Sequence, residues 1–150
     1  SIMNILKRGD SGTVRPNVMT FKVGGSRNKA YAIVINTNES WNERAIYEFV
    51  IHRANVHTDG SWQGSMLLEV EGHATKWGHG SNFLRVKQNR YNRKRFTAGV
   101  HEHFQTGEIM VYLRGGHTYK FYGIGCKITD INGAGNIVVR GKKKYHPRNI

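Results

Sequence analysis

The chain has 150 residues, enough for one domain with a sizeable core and too few for two. Lys and Arg number 23 against 10 Asp and Glu, a formal charge of +13. Such a surface attracts polyanions, whether nucleic acid, acidic polysaccharide, lipopolysaccharide phosphates or an anionic membrane. Apolar runs stop after a few residues, far short of the roughly 18 of a membrane helix, and no charged start leads into an apolar stretch, so neither a spanning helix nor a signal peptide is expected.

Residues 1–18 are polar, with Gly9, Gly12 and Pro16, and Ile5-Leu6 as their apolar pair. An extended arm is expected there, followed by a folded domain over 19–150. Tyr31 to Asn36 is a run of β-branched and aromatic residues and predicts a strand. A short helical turn fits 39–44. From Ala45 to Arg53, Tyr47, Phe49 and Ile51 share one face and Glu48 and His52 the other. Met66 to Glu71 turns Leu68 and Val70 inward and Glu69 and Glu71 outward, and Asn82 to Gln88 alternates Leu84 and Val86 with Arg85 and Lys87. Glu108 to Arg114 carries Ile109, Val111 and Leu113 on one side. Tyr119 and Phe121, the stretch Ile124 to Ile131, and Ile137 to Val139 complete eight or nine predicted strands.

Gly24-Gly25, Asp59-Gly60, Gly115-Gly116 and Asn132-Gly133 punctuate these segments. Asp-Gly and Asn-Gly suit tight hairpins because both central residues tolerate positive φ. The predicted fold is all-β, an antiparallel β-sandwich of jelly-roll type. The single cysteine, Cys126, excludes an intrachain disulfide and a cysteine-based zinc site. It alternates with isoleucines and is expected in the core. The last stretch, Gly141 to Arg148, is expected to be a basic tail.

No phosphate loop, dinucleotide fingerprint, nucleophile elbow or zinc-protease motif is present. A glycosidase needs two carboxylates flanking the bond; Glu69 and Glu71 share a strand face, which fits a solvated surface. The chain is accordingly expected not to be an enzyme, and no residue is assigned a catalytic role. The run Asn89-Arg90-Tyr91-Asn92-Arg93-Lys94-Arg95 gathers four cations around a tyrosine, in an expected loop. Trp41, Trp62 and Trp77 stand beside polar or Gly residues. Such a tryptophan suits stacking on a sugar face or on a base, or closing one end of the core, and arginines suit carboxylate or phosphate. The candidate receptor and glycan site is Trp62, Trp77, Tyr91, Arg93 and Arg95. On a strand, His101 and His103 point the same way. One chain supplies too few nitrogens for a closed metal site, but three chains around an axis would supply an octahedral set for a transition metal.

The stretch Gly107-Glu108-Ile109-Met110-Val111-Tyr112-Leu113-Arg114-Gly115-Gly116-His117-Thr118-Tyr119-Lys120-Phe121 resembles the C-terminal region of bacteriophage tail fibres and tailspikes: an apolar strand, a Leu-Arg-Gly-Gly turn, then an aromatic strand. Gly64-Ser65-Met66-Leu67-Leu68-Glu69-Val70 and Trp77-Gly78-His79-Gly80-Ser81 are similar to a strand and Gly-aromatic loop of such tips. The resemblance covers roughly Trp62 to Gly125. It implies a homotrimeric receptor-binding tip in the virion, made in the host cytoplasm, joined to the rest of the tail fibre and gripping bacterial surface polysaccharide, lipopolysaccharide or another receptor. The arm would be the end of a fibrous stem. Some long tail fibres bind iron on the trimer axis through His-x-His elements. His101 and His103 match that element, although a single copy without a flanking repeat departs from the usual pattern. No other cofactor is expected. The alternatives are a basic nucleic-acid-binding β domain, disfavoured because no recognised motif is present, and a glycan-cleaving fibre domain.

Overall fold

A computed structural model describes residues 16–37, 46–57, 59, 62–74, 82–131 and 137–150. They form twelve strands and, among the described residues, no helix. The strands are β1 (Asn17–Val23), β2 (Lys29–Asn36), β3 (Ile46–Arg53), β4 (Met66–His73), β5 (Phe83–Tyr91), β6 (Thr97–His103), β7 (Glu108–Arg114), β8 (His117–Ile124), β9 (Lys127–Ile131), β10 (Val138–Arg140), β11 (Lys143–Tyr145) and β12 (Arg148–Asn149).

Two antiparallel sheets pack face to face. The front sheet has the order β1-β8-β3-β4-β5. In the back sheet β6 pairs β7 and β7 pairs β2, while β9 and β12 share the far edge of β2, opposite its two halves. Early strands pair with later ones, β1 with β8 and β2 with β7, as when a long ribbon is rolled up. β3, β4 and β5 then meander within the front sheet. The architecture is therefore an antiparallel β-sandwich, jelly-roll-like in its outer pairings.

Alternation explains the core. Phe21 and Val23, Tyr47, Phe49 and Ile51, Leu68 and Val70, and Tyr119 and Phe121 face inward from the front sheet. Tyr31, Ile33 and Ile35, with Ile109, Val111 and Leu113, meet them from the back. Rings interlock between strands: Phe21 lies 5.7 Å from Tyr119 and Phe49 5.9 Å from Phe121, each such pair contributing about 0.5–1.5 kcal/mol beyond its buried area. Cys126 is buried in this core.

A second, smaller cluster lies on the outer side of the back sheet. Ala30, Ala32 and Val34 with Met110 and Tyr112 are covered by Val138 and Tyr145. The C-terminal stretch expected as a tail is thus a docked hairpin, β10–β11, followed by β12 pairing with β2. Arg140 clamps it, its Nε and Nη2 donating to the two carboxylate oxygens of Glu108 at 2.6 and 3.0 Å. Arg148 stacks 3.9 Å from the Tyr112 ring centroid and donates to the Ala98 carbonyl. The bulge between Thr97 and Val100 makes room for it: a Cβ at Gly99 would sit 2.6 Å from the Arg148 Nη1.

Other expectations shift at the edges. β1 begins at Asn17, so the last two residues of the expected arm belong to a strand. The stretch Ile124 to Ile131 breaks at Gly125, whose φ of 73° turns the chain from the front sheet to the back. Residues 1–15, the helical turn at 39–44 and Asn132-Gly133 lie outside the described residues.

Candidate functional site

Strand register places four connections at one end of the sandwich: residues 24–28 between β1 and β2, 54–65 between β3 and β4, 92–96 between β5 and β6, and the Gly115-Gly116 turn between β7 and β8. The Gly-Gly turn is as tight as expected, with Gly116 at φ 77°. Asp59 does not sit in a tight hairpin. It lies within the long 54–65 connection and turns its carboxylate into the protein.

The basic run is also more ordered than a loop. Asn89, Arg90 and Tyr91 complete β5, and the turn begins at Asn92. That turn zips onto the Trp62 connection. The Asn92 N–H donates to the Ser65 carbonyl and the Lys94 N–H to the Gln63 carbonyl, both at 3.2 Å, while the Asn92 side-chain oxygen accepts the Ser65 N–H at 2.7 Å. Trp62, Tyr91, Arg93 and Arg95, distant in sequence, are thereby brought to one end. Trp62 is 66% exposed and Tyr91 47%, so neither closes the core. The Trp62 ring stands edge-on to His57 at 4.5 Å. Arg27, Lys29, Arg90, Arg93, Lys94 and Arg95 are exposed around this end. Among the described residues its one carboxylate is Asp59, whose side chain is 2% exposed. Trp77 and Trp41 lie outside the described residues.

Two buried arginines hold these connections from beneath. Arg53 donates to Asp59 Oδ1 at 2.7 Å, to the Gly64 carbonyl, and to the Val56 carbonyl at 3.4 Å, pinning 54–65 at three points around Trp62. Its guanidinium also lies 5.3 Å from the Phe96 ring centroid. Burial pushes the Asp59 carboxyl up, but hydrogen bonds from Arg53 and the Thr118 N–H outweigh it and hold the group below the ordinary range. His117 Nδ1 approaches the same carboxylate at 3.3 Å. Burial first, then the Arg53 charge, push the imidazole down to about 4, so it is neutral near pH 7 and donates from Nδ1. Arg114 donates to the carbonyls of Arg95 and Arg27 at 2.8 and 2.6 Å, tying the 92–96 and 24–28 connections together. Sequence pattern does not mark Arg114 as buried, whereas Arg53 continues the inward parity of Phe49 and Ile51, a readable signal.

Comparison with protein-family models, curated proteins and solved structures finds no match. The arrangement itself must carry the functional reading.

His101 and His103 lie on β6, on the face that packs against the chain's own C-terminal segment. His101 Nε2 accepts from the Arg148 guanidinium at 2.8 Å, and His103 Nδ1 meets the Tyr145 hydroxyl at 3.2 Å. Burial, then Arg148, hold the His101 pKa down. Its Nε2 lone pair is thus given to a cation within the chain, and among the described residues no three His, Cys, Asp or Glu side chains gather as metal ligands.

Glu69 and Glu71 do share the outer face of the front sheet. Lys87 Nζ lies 3.1 Å from Glu69 and 3.6 Å from Glu71, and Gln88 donates to Glu69 at 2.9 Å. Against burial, these partners hold Glu69 below the ordinary carboxylate range. A glycosidase general acid needs the opposite shift.

Proposed function

We propose that this chain is a receptor-binding module of the phage tail-fibre type, a homotrimeric tip in the virion that takes an acidic glycan of the bacterial surface at the loop end and catalyses no reaction. The observation that carries this reading is Trp62: two-thirds exposed, on a connection pinned from below by Arg53, among exposed cations whose neighbouring carboxylate is buried. An exposed indole stacks on a pyranose face, and arginines beside it take carboxylate or phosphate in bidentate pairs. Pinning the connection lowers the ordering entropy lost on binding. The trimer and the fibre context rest on the sequence resemblance.

A nucleic-acid reading is favoured by the same cations with Tyr91, because stacking and phosphate contacts are what single strands require. A glycan array read beside oligonucleotide binding over a salt series separates the two. Glycan binding lost in Trp62→Ala, with oligonucleotide binding weak and steeply salt-dependent, supports the receptor reading. Tight oligonucleotide binding without any glycan signal overturns it. Sedimentation as a monomer at micromolar concentration would overturn the trimer.

A further inference from the structure

The outer face of the front sheet holds two shallow grooves that meet at His52 and Ala54, which line both. The first, about 300 Å³, runs beside Thr20, Lys120 and Tyr122. The second, about 420 Å³, runs beside Leu67, Arg90, Tyr91 and Asn92. Register makes them one transverse track. Thr20 pairs Lys120, Lys120 pairs His52, His52 pairs Leu67 and Leu67 pairs Arg90, a single row across all five strands. A tyrosine outside the core and a surface cation line each groove. Tyr122 stacks with His52 at 5.7 Å and has the Lys120 ammonium 5.5 Å from its ring centroid. In the second, Arg90 stands in the outer-face row, and Tyr91, which follows it and pairs Met66, lines the groove where it reaches the loop end.

Charge sets the direction of the track. Two rows further from the loop end, the same face carries Glu48 and Glu71 beside Lys87 and Arg85, with Glu69 between. An anionic chain gains less from those rows than from the row that carries Lys120 and Arg90 without a carboxylate. Tyr91 and Asn92 also border the turn that zips onto the Trp62 connection, so the track is continuous with the loop end.

We propose that these two grooves are successive subsites for the interior of one acidic polysaccharide chain, which runs from the loop end past Tyr91 and Arg90, over His52, to Tyr122 and Lys120. The ligand class is a linear glycan bearing carboxylates or phosphates, gripped along its length rather than at its terminus. Each groove falls at the small end of the range for ligand pockets, the scale of single rings. The first groove offers a ring face for the sugar and a cation for its acidic group, and the second offers Arg90 on the track and Tyr91 where the track meets the loop end. This inference rests on the loop-end reading above, and the two fail separately.

The experiment is isothermal titration with oligogalacturonates and hyaluronan oligosaccharides, each as a length series from the disaccharide upward. Wild-type affinity should rise with length and then level off. Lys120→Ala with Tyr122→Ala should bind the shortest oligomers as wild type does and lose the gain with length, about tenfold at the longest. Arg90→Ala, on an exposed strand, gives a second measurement should the double variant not fold. A wild type with no gain, or variants that keep it, would overturn the track while Trp62→Ala still tests the loop end. Loss of the gain in the groove variants with Trp62→Ala unchanged would sustain the track and overturn the loop end. No binding by wild type to either series overturns both.

Discussion

Acidification should weaken this fold through His117, and the size of the effect can be worked from its surroundings. The side chain is fully buried, beside Arg53 and the edge of the Phe96 ring at 5.3 Å. Its Nδ1 serves Asp59, and its Nε2 has no partner among the described residues. Protonation would place a second cation next to Arg53. The folded pKa is depressed to about 4 from 6.5. As pH falls below 6.5 the unfolded chain takes up a proton that the folded chain refuses, so the unfolded state gains. The stability tied to His117 is thus complete above about 6.5 and lost as pH falls towards about 4. That interval corresponds to about 3 kcal/mol, most of it gone by pH about 4.5. Urea unfolding of wild type and His117→Asn over this range provides the assay. Asn keeps a donor for Asp59 and cannot titrate. Its baseline stability should be lower, since it underfills the site by about 1–3 kcal/mol. Its decline with acid should be shallower than that of wild type by the His117 share. The other histidines whose pKa is held down, His52 and His101, are common to both proteins and cancel. Parallel stability curves for the two proteins would refute the reasoning.

Trp62→Ala should change stability by no more than about 0.5 kcal/mol, as for an exposed residue, against about 3–5 kcal/mol for a core tryptophan; thermal unfolding beside glycan titration checks that it loses binding without losing fold. Arg140→Ala should cost about 1–3 kcal/mol by breaking the paired bonds to Glu108, and amide exchange should quicken across 138–145 first; unchanged protection there would show that the apolar contacts of Val138 and Tyr145 alone hold the hairpin.

Much of this molecule is legible in its sequence because burial in a sheet has period two. Tyr47-Phe49-Ile51, Leu68-Val70 and Ile109-Val111-Leu113 announce their inward faces directly. The unbroken apolar run from Tyr31 to Ile35 marks a strand covered on both sides, and β2 is one. The Gly115-Gly116 turn follows from the need for positive φ in a short connection. Local pattern fails where partners are distant. Lys143, Lys144 and Arg148 look like a solvated tail, yet Tyr145 and Val138 cover Met110 and Tyr112, an apolar face that no neighbouring residue fills. Arg114 looks like a surface charge until the carbonyls of Arg95 and Arg27 surround it, and for Arg53 parity gives the inward face but not the Asp59 carboxylate and Gly64 carbonyl that satisfy it.

The site shows the same division. Composition fixes a formal charge of +13, and residue type marks Trp62, Tyr91, Arg93 and Arg95 as candidates for ring and anion contacts. Tertiary structure decided that these residues share one end, because hydrogen bonds from Asn92 and Lys94 join two connections that the sequence separates by the whole of β4 and β5. It also decided the fate of the histidine pair: strand parity turned His101 and His103 to one face, and the docked C-terminal segment gave His101 an arginine and His103 a tyrosine. Parity is a property of neighbouring residues along a chain. Which surface covers a face, and which charge meets which, depends on segments that come together only when the sheets close.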